Sequence, residues 1–287
     1  MSGRIRRARA AAALLALAAG CSSAVPDDTS PSLQTVIVEG SLGSVPTVSV
    51  PDHLVPNGRT VTTAIHGFGR ELHEGDEALL VVTTFDGVSG EYIEHEAMGE
   101  PTLVTVDEEG VGSALAQTLV GEHEGSRLVL VERLDVAGRP QPMVTVVDIL
   151  STVADGTVVA EPALPVDLTT VEGQDQAVAA GEAAPPDELV VVPLIDGQGA
   201  QVSEGQRVFL TFTSTRWESG ERIDATGAHQ PVAVDLDDAM AGVRAGILDL
   251  RVGTRVLLVV PPDQGNGSDT MVLVVDVLAA YTPNPIN

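Results

Sequence analysis

The chain has 287 residues, with 41 acidic side chains against 15 basic ones and a formal charge of −26 at pH 7. All 15 basic residues are arginines, which excludes mechanisms that need a lysine Schiff base or a P-loop lysine. A chain this acidic would repel nucleic acid, whose binding depends on cationic contacts to phosphate. Hydrophobic residues make up 44% of the sequence, enough for a packed core. We therefore expect a folded protein that does not bind nucleic acid.

The N-terminus carries the pattern of an export signal. Four arginines within the first nine residues precede an apolar Ala and Leu run that ends at Gly20. This pattern predicts a signal peptide over residues 1–20, and its apolar run is too short to span a bilayer. The ending LAAGCSS resembles the lipobox of bacterial lipoproteins, so Cys21, the only cysteine, is the expected lipidation site. An ordinary secretory signal that ends near a cysteine is the alternative.

This reading places the protein outside the cytoplasm, held to the bacterial cell membrane by the lipid anchor only. Removing residues 1–20 leaves 11 arginines against 41 acids, a charge of −30. Such a chain gains nothing from anionic lipid headgroups. Residues 21–45, which begin with a stretch rich in Ser, Pro and Asp, predict a flexible tether.

The rest of the sequence contains an internal duplication. IHGFG from Ile65 matches IDGQG from Ile195, and SGEYIE from Ser89 matches SGERID from Ser219 at the same offset along the chain. GSRLVLV from Gly125 matches GTRVLLV from Gly253, and VVDIL matches VVDVL, both at a slightly shorter offset. Ordered matches at a nearly constant offset indicate two copies of one structural unit.

Each repeat is predicted to be mostly strand with one short helix. Apolar, β-branched runs bounded by Gly, Pro, Asp or Ser predict the strands. The helix candidates are SALAQTLVG, with Ser113 as N-cap, and DDAMAGVRAGIL, with Asp237 or Asp238 as N-cap. This predicts an α+β fold of two domains, each a curved antiparallel sheet wrapped around one short helix. The predicted domains are 46–152 and 188–281, joined by a linker over 153–187.

The second repeat contains the segment EGQRVFLTFTSTRWESGERIDAT and closes with TMVLVVDVL. These segments resemble the FKBP family of peptidyl-prolyl cis-trans isomerases: the first is similar to the family's strand, loop and Gly-bounded Phe-Asp segment, and the second to its closing strand. The resemblance implies an FKBP-like domain with an apolar site for proline. In sequence order, the residues matching the family's substrate-binding positions are Phe212, Ile223, Asp224, Met240, Val243, Asn266 and Leu273.

Only Asp224 among these residues is the family's own residue type. Aliphatic side chains replace aromatic ones at Ile223, Val243 and Leu273, so the resemblance implies a pocket with weakened activity. Asp224 either accepts a hydrogen bond within the pocket or fixes its own turn. Trp217, the only tryptophan, either contacts substrate or packs a loop onto the sheet.

The first repeat contains the same matched segments in the same order, but it has no aromatic residue at the positions equivalent to the substrate-binding ones. These positions are Val82, Ile93, Glu94, Leu115 and Thr145. If the protein is an isomerase, the second domain is therefore the better candidate. Such a reaction needs no metal or cofactor, because no bond is broken, and no H-E-x-x-H zinc motif occurs.

Two functions follow from the sequence. One is an FKBP-type isomerase-like lipoprotein that binds prolyl or apolar segments of exported proteins, with weak isomerase or chaperone activity. The other is a non-catalytic envelope scaffold that recruits a partner through its acidic surfaces.

Overall fold

The β-branched runs form strands throughout the computed structural model, which describes residues 35–94, 98–136, 138–171, 174–178 and 184–283. The predicted signal peptide and Cys21 lie outside these residues. The strands, in chain order, are β1 (Ile37–Glu39), β2 (Thr47–Ser49), β3 (Thr60–Ile65), β4 (Glu77–Asp86), β5 (Thr102–Thr105), β6 (Arg127–Val136), β7 (Arg139–Leu150), β8 (Gly156–Val158), β9 (Asp167–Val171), β10 (Gln174–Val178), β11 (Val190–Gly197), β12 (Arg207–Arg216), β13 (Arg222–Ala225), β14 (Val232–Asp235), β15 (Arg255–Val260) and β16 (Met271–Tyr281). The helices are α1 (Glu108–Val111), α2 (Ser113–Leu119) and α3 (Ala241–Ile247), with a 3-10 turn at Pro262–Gln264.

The two main sheets have matching strand orders. The first sheet runs β3-β6-β7-β4-β5, and the second runs β8-β11-β15-β16-β12-β13 with β14 also paired to β12. The repeat offset makes β11, β15, β16, β12 and β14 the counterparts of β3, β6, β7, β4 and β5. The counterparts therefore occur in the same order in both sheets. All pairs between these strands are antiparallel. The prediction of an α+β chain dominated by antiparallel sheet is confirmed.

Alternating side chains divide each sheet into two buried faces. We call the face that packs against α2 or α3 the helix face, and the opposite one the outer face. In the second sheet, Leu210 and Val275 belong to the helix-face core, whereas Leu257 and Val274 pack on the outer face. The burial patterns of β4 and β12 are identical along their whole length. Other parts of the chain must therefore cover both the helix face and the outer face of each sheet.

A short β-hairpin lies beside the outer-face core of each sheet. The hairpin β1-β2 brings Val38 and Val48 against the outer face of the first sheet. Before the second sheet, β9 and β10 pair in the same way, and Leu168 packs with Leu257. The end of the predicted tether, residue 45, therefore falls between β1 and β2, and the β9-β10 hairpin lies wholly within the predicted linker. Val38 and Leu168 are separated by the same offset as Ile65 and Ile195, so the hairpin belongs to the repeat.

Both predicted helix N-caps are wrong. The cap of α2 is Gly112, at φ 79°, and Ser113 is the first helical residue. The cap of α3 is Met240, which makes no side-chain capping bond. Asp237 and Asp238 instead belong to a turn closed by Asp235, whose carboxylate and carbonyl accept from their backbone N–H groups.

None of the helices in the described residues is long and apolar enough to cross a membrane.

Candidate functional site

The candidate site lies on the helix face of the second sheet, where strand register aligns several sequence-predicted residues. Ser214 of β12 lies opposite Leu273 on one side and Asp224 on the other. Leu258 of β15 lies beyond Leu273. In the next row, Phe212 lies opposite Val275 of β16. Directly opposite residues share a face of the sheet, so this register gathers Phe212, Leu273 and Asp224 onto one surface.

Helix α3 packs closely onto this surface because two of its residues are glycines. A Cβ atom added at Gly242 would come 2.5 Å from Val260, and one at Gly246 would come 2.5 Å from Leu258. The close approach places Val243 in the same core cluster as Leu273, with Phe212 packed against it. The sequence resemblance implied a shared site for these three residues, and they do lie in one apolar cluster.

The floor of this site is closed by the protein's own side chains. Val243 is only 9% exposed and Leu273 only 4%. Exposed apolar surface remains at Ile223 and Met240, each 38% exposed. None of four cavities found in the described residues is lined by Val243 or Leu273, although the lining of one of them includes Phe212. The arrangement provides a shallow apolar surface rather than a deep hollow.

The two polar residues implied by the resemblance make local bonds. Asp224 is exposed, and its Oδ1 accepts from the backbone N–H of Ala225 at 2.9 Å. Asn266 is also exposed, and its Oδ1 accepts from the backbone N–H groups of Ser268 at 3.0 Å and Asp269 at 2.9 Å. Asn266 holds its own turn, whereas the bond of Asp224 is a local one within β13. Neither is buried among the apolar residues of the site.

Trp217 lies on the opposite side of the sheet from this site. It is 5% exposed and packs in the outer-face cluster with Leu257, Val259 and Val272. This is the packing role considered for it from sequence.

The equivalent surface of the first sheet is more polar. Thr84 and Thr145 lie opposite each other where the second sheet has Ser214 and Leu273. Val82 and Leu115 pack at the edge of the core there, whereas Ile93 is 37% exposed. Glu94 is exposed at the position equivalent to Asp224. A row with two threonines and a glutamate is a poorer match for an apolar ligand.

Sequence reasoning missed a charged pair that both repeats hold on the outer face. Arg127 donates to Asp148 from Nε at 2.6 Å and from Nη2 at 2.7 Å. Arg255 makes the same bidentate contact with Asp276, at 2.6 and 2.8 Å. Hydrogen bonding to Asp276 raises the pKa of Arg255 above its ordinary value. The signal was available, since the Arg and the Asp occur in both copies of the matched apolar segments.

A second polar group lies where the two repeats meet. Thr152 Oγ1 lies 2.6 Å from a carboxylate oxygen of Glu124 and 2.7 Å from His229 Nδ1. The hydroxyl has one proton, which it donates to Glu124, so His229 Nδ1 is the donor to Thr152. Glu124 also bonds Arg70 Nε at 3.1 Å. Burial lowers the pKa of His229, and the charge of Arg70 adds to this effect.

Beside His229 lies a cavity of about 180 Å³, whose lining also includes Thr213, Arg255 and Asp276 of the outer face. Three donor atoms of Arg255 are already bound to Asp276 and Asp175. Within the described residues, no group of three or more His, Cys, Asp or Glu side chains is placed to hold a metal ion.

Comparison with known proteins finds one relative with a family name. The chain is 29% identical over 105 residues to a probable FK506-binding protein of Corynebacterium glutamicum, covering 33% of this chain and 89% of that protein. No protein-family profile matches the chain. The match to that relative confirms the resemblance to the FKBP-type peptidyl-prolyl cis-trans isomerase family predicted from sequence.

Similar solved structures carry the same family names but align loosely. The three FKBP domains of wheat FKBP73 match at 15% identity and a TM-score of 0.31, covering 78% of this chain and 95% of that one. FkpA of Escherichia coli matches at 23% identity and a TM-score of 0.32, covering 33% and 49%. A peptidyl-prolyl cis-trans isomerase of Pseudomonas syringae matches at 20% identity and a TM-score of 0.31, covering 33% and 77%.

Proposed function

We propose that the second repeat binds prolyl or other apolar segments of exported polypeptides and acts as a weak peptidyl-prolyl isomerase or a holding chaperone. The relationship to FKBP-type isomerases supports this kind of reaction. One observation carries the assignment to the second repeat. Phe212, Val243 and Leu273 lie in one apolar cluster, and Ile223 and Met240, which the resemblance assigns to the same site, are exposed, whereas the first repeat has threonines in the equivalent row.

The chemistry fits a site without a nucleophile. Rotation about an X-Pro bond crosses a barrier of about 18–20 kcal/mol set by amide resonance. An apolar surface lowers that barrier if it binds the twisted amide better than the planar one. Phe212 would supply an aromatic wall for the proline ring, with Ile223 and Met240 at the rim. A shallow surface excludes water poorly, which is why we propose a weak activity.

A protease-coupled assay of a proline peptide tests the catalytic part. We expect the full chain to give a rate above background, and Ile223→Ser with Met240→Ser to reduce it at least about fivefold, as loss of two rim contacts would. The matched control is Leu134→Ser, because Leu134 is 41% exposed in the first repeat. Absence of any rate above background would exclude the isomerase. Equal effects of the site variants and the control would exclude this site.

We also propose that the mature chain is lipid-anchored at Cys21 on the outer side of the bacterial cell membrane. The lipobox-like LAAGC sequence supports this proposal. Metabolic labelling with a fatty-acid probe should mark the wild-type chain and leave Cys21→Ala unmarked. Equal labelling of both chains would contradict the proposal.

A non-catalytic scaffold is the second candidate, favoured by the formal charge of −26 and by the closed floor of the site. Its partner would be cationic and its binding would weaken as salt rises. Pull-downs from envelope extract at low and high salt separate the candidates. Capture lost at high salt and unaffected by Met240→Ser favours the scaffold, whereas salt-resistant capture that needs Met240 favours apolar binding.

A further inference from the structure

The outer edge of the first sheet is formed by β3, whose edge is open within the described residues. The sheet order starts at β3, so only one side of this strand is paired, to β6. Its sequence, TVTTAI, contains neither a charged residue nor a proline. Val61 is 43% exposed and Ile65 is 39% exposed. Exposed edge strands normally carry charges, prolines or a covering segment, because an open edge pairs readily with another strand.

The equivalent strand of the second sheet is covered. Residues Ile195–Gly197 of β11 pair antiparallel with β8, and the N–H of Val159 donates to the carbonyl of Leu194 at 3.0 Å. The repeat offset makes Ile65–Gly67 the counterpart of this covered stretch. Strand β11 also contains Pro193, which removes one backbone donor. The same frame therefore accepts an added strand in one repeat and leaves that place open in the other.

Phe68 adds a side-chain contact beside this open edge. It is 95% exposed, whereas each of the other six aromatic side chains is buried or half-buried. The equivalent residue in the second repeat is Gln198. A cavity of about 350 Å³ lies between Phe68 and residues 153–155. Aromatic side chains of this kind anchor interfaces because they bury a large area at a low entropy cost.

We propose that the β3 edge binds an extended, apolar, non-acidic segment of another polypeptide by antiparallel strand addition, with Phe68 packing on that segment. Main-chain hydrogen bonds provide the affinity in this binding mode. The ligand must therefore present N–H donors, which distinguishes it from a prolyl ligand of the second repeat. The charge of −26 disfavours acidic segments.

A peptide copied from the chain itself tests the proposal. A fluorescent pentapeptide with the sequence of residues 156–160, GTVVA, contains the strand that fills the equivalent edge of the second sheet and has no acidic residue. We expect saturable binding to the full chain by fluorescence anisotropy. A peptide with proline in place of Val159 lacks the N–H that bonds Leu194, and we expect its affinity to fall at least about fivefold. No binding, or equal binding of both peptides, would overturn the proposal.

Variants of the chain locate the site. Phe68→Ser should weaken binding about tenfold, as expected for an aromatic anchor, whereas Val88→Ser should leave it unchanged. Val88 is a suitable control because it is 70% exposed in a turn of the same repeat. If Phe68→Ser binds like the wild type, the peptide occupies another surface, such as the β11 edge, and the proposal is overturned.

Hydrogen exchange tests the same site without any substitution. The amide of His66, equivalent to that of Asp196 in β11, should exchange rapidly in the free chain and slow down when the peptide binds. An amide that is already protected in the free chain would mean that the edge is filled intramolecularly, which overturns the proposal.

Discussion

The two sheets share their strand order and their outer-face ion pair, but they differ on the helix face. Asp148 and Asp276 each bind an arginine at the same place in the frame. On the helix face, Leu273 and Ser214 of the second sheet are replaced by Thr145 and Thr84 of the first. The shared ion pair and the candidate site therefore lie on opposite faces of the sheet.

The largest expected effect concerns the buried ion pair. Arg127 is 1% exposed and its pair is fully enclosed, whereas Arg255 is 21% exposed. Arg127→Met leaves Asp148 buried without a counter-charge and should lower the free energy of unfolding by about 3–5 kcal/mol. Arg255→Met should cost less, roughly 1–3 kcal/mol, because water reaches that pair. Urea unfolding of both variants measures this. Equal losses of unfolding free energy in the two variants would contradict the prediction that the more deeply buried pair contributes more to stability.

The next effect concerns the helix contact that differs between the repeats. Gly246→Ala places a methyl group against Leu258 and should cost about 1–3 kcal/mol of unfolding free energy. The matched control is Thr118→Ala, at the equivalent position of α2, where the change should stay within about 0.5 kcal/mol. Thermal unfolding of the two variants compares them. A neutral Gly246→Ala would contradict the close packing of α3.

The smallest effect is a pH dependence that originates at the junction. Burial and Arg70 lower the pKa of His229, so below its ordinary value of 6.5 the unfolded chain binds more protons than the folded one. Stability should therefore decrease as the pH falls from 7 to 5, and His229→Gln should reduce this decrease. His73→Gln, which alters an exposed histidine, is the control. Identical pH profiles for wild type and His229→Gln would contradict this role.

The sequence predicted the frame well because the duplication and the strand runs are local signals. The matched segments from Gly125 and Gly253 become β6 and β15, which occupy the same place in their sheets. Strand β1 lies within the predicted tether, and β9 and β10 lie within the predicted linker, because short strands rich in polar or acidic residues give little periodic signal. Their pairing depends on the outer face that they cover, a tertiary effect.

The candidate site could be predicted only in part. Phe212, Val243 and Leu273 were placed together by resemblance, and the structure brings them into one cluster. The closed floor could not be anticipated, since it depends on how near Gly242 and Gly246 allow α3 to approach the sheet. The exposure of Phe68 could not be predicted either, because the sequence alone does not show which aromatic side chain remains outside the packed core.

Mapping of a proline-containing peptide by NMR chemical shifts tests most directly whether the second repeat is the prolyl-binding one. The signals of Phe212, Ile223 and Met240 should shift on titration, whereas those of Val82, Ile93 and Leu115 stay in place. Shifts confined to the first repeat, or absent from both helix faces, would contradict the account.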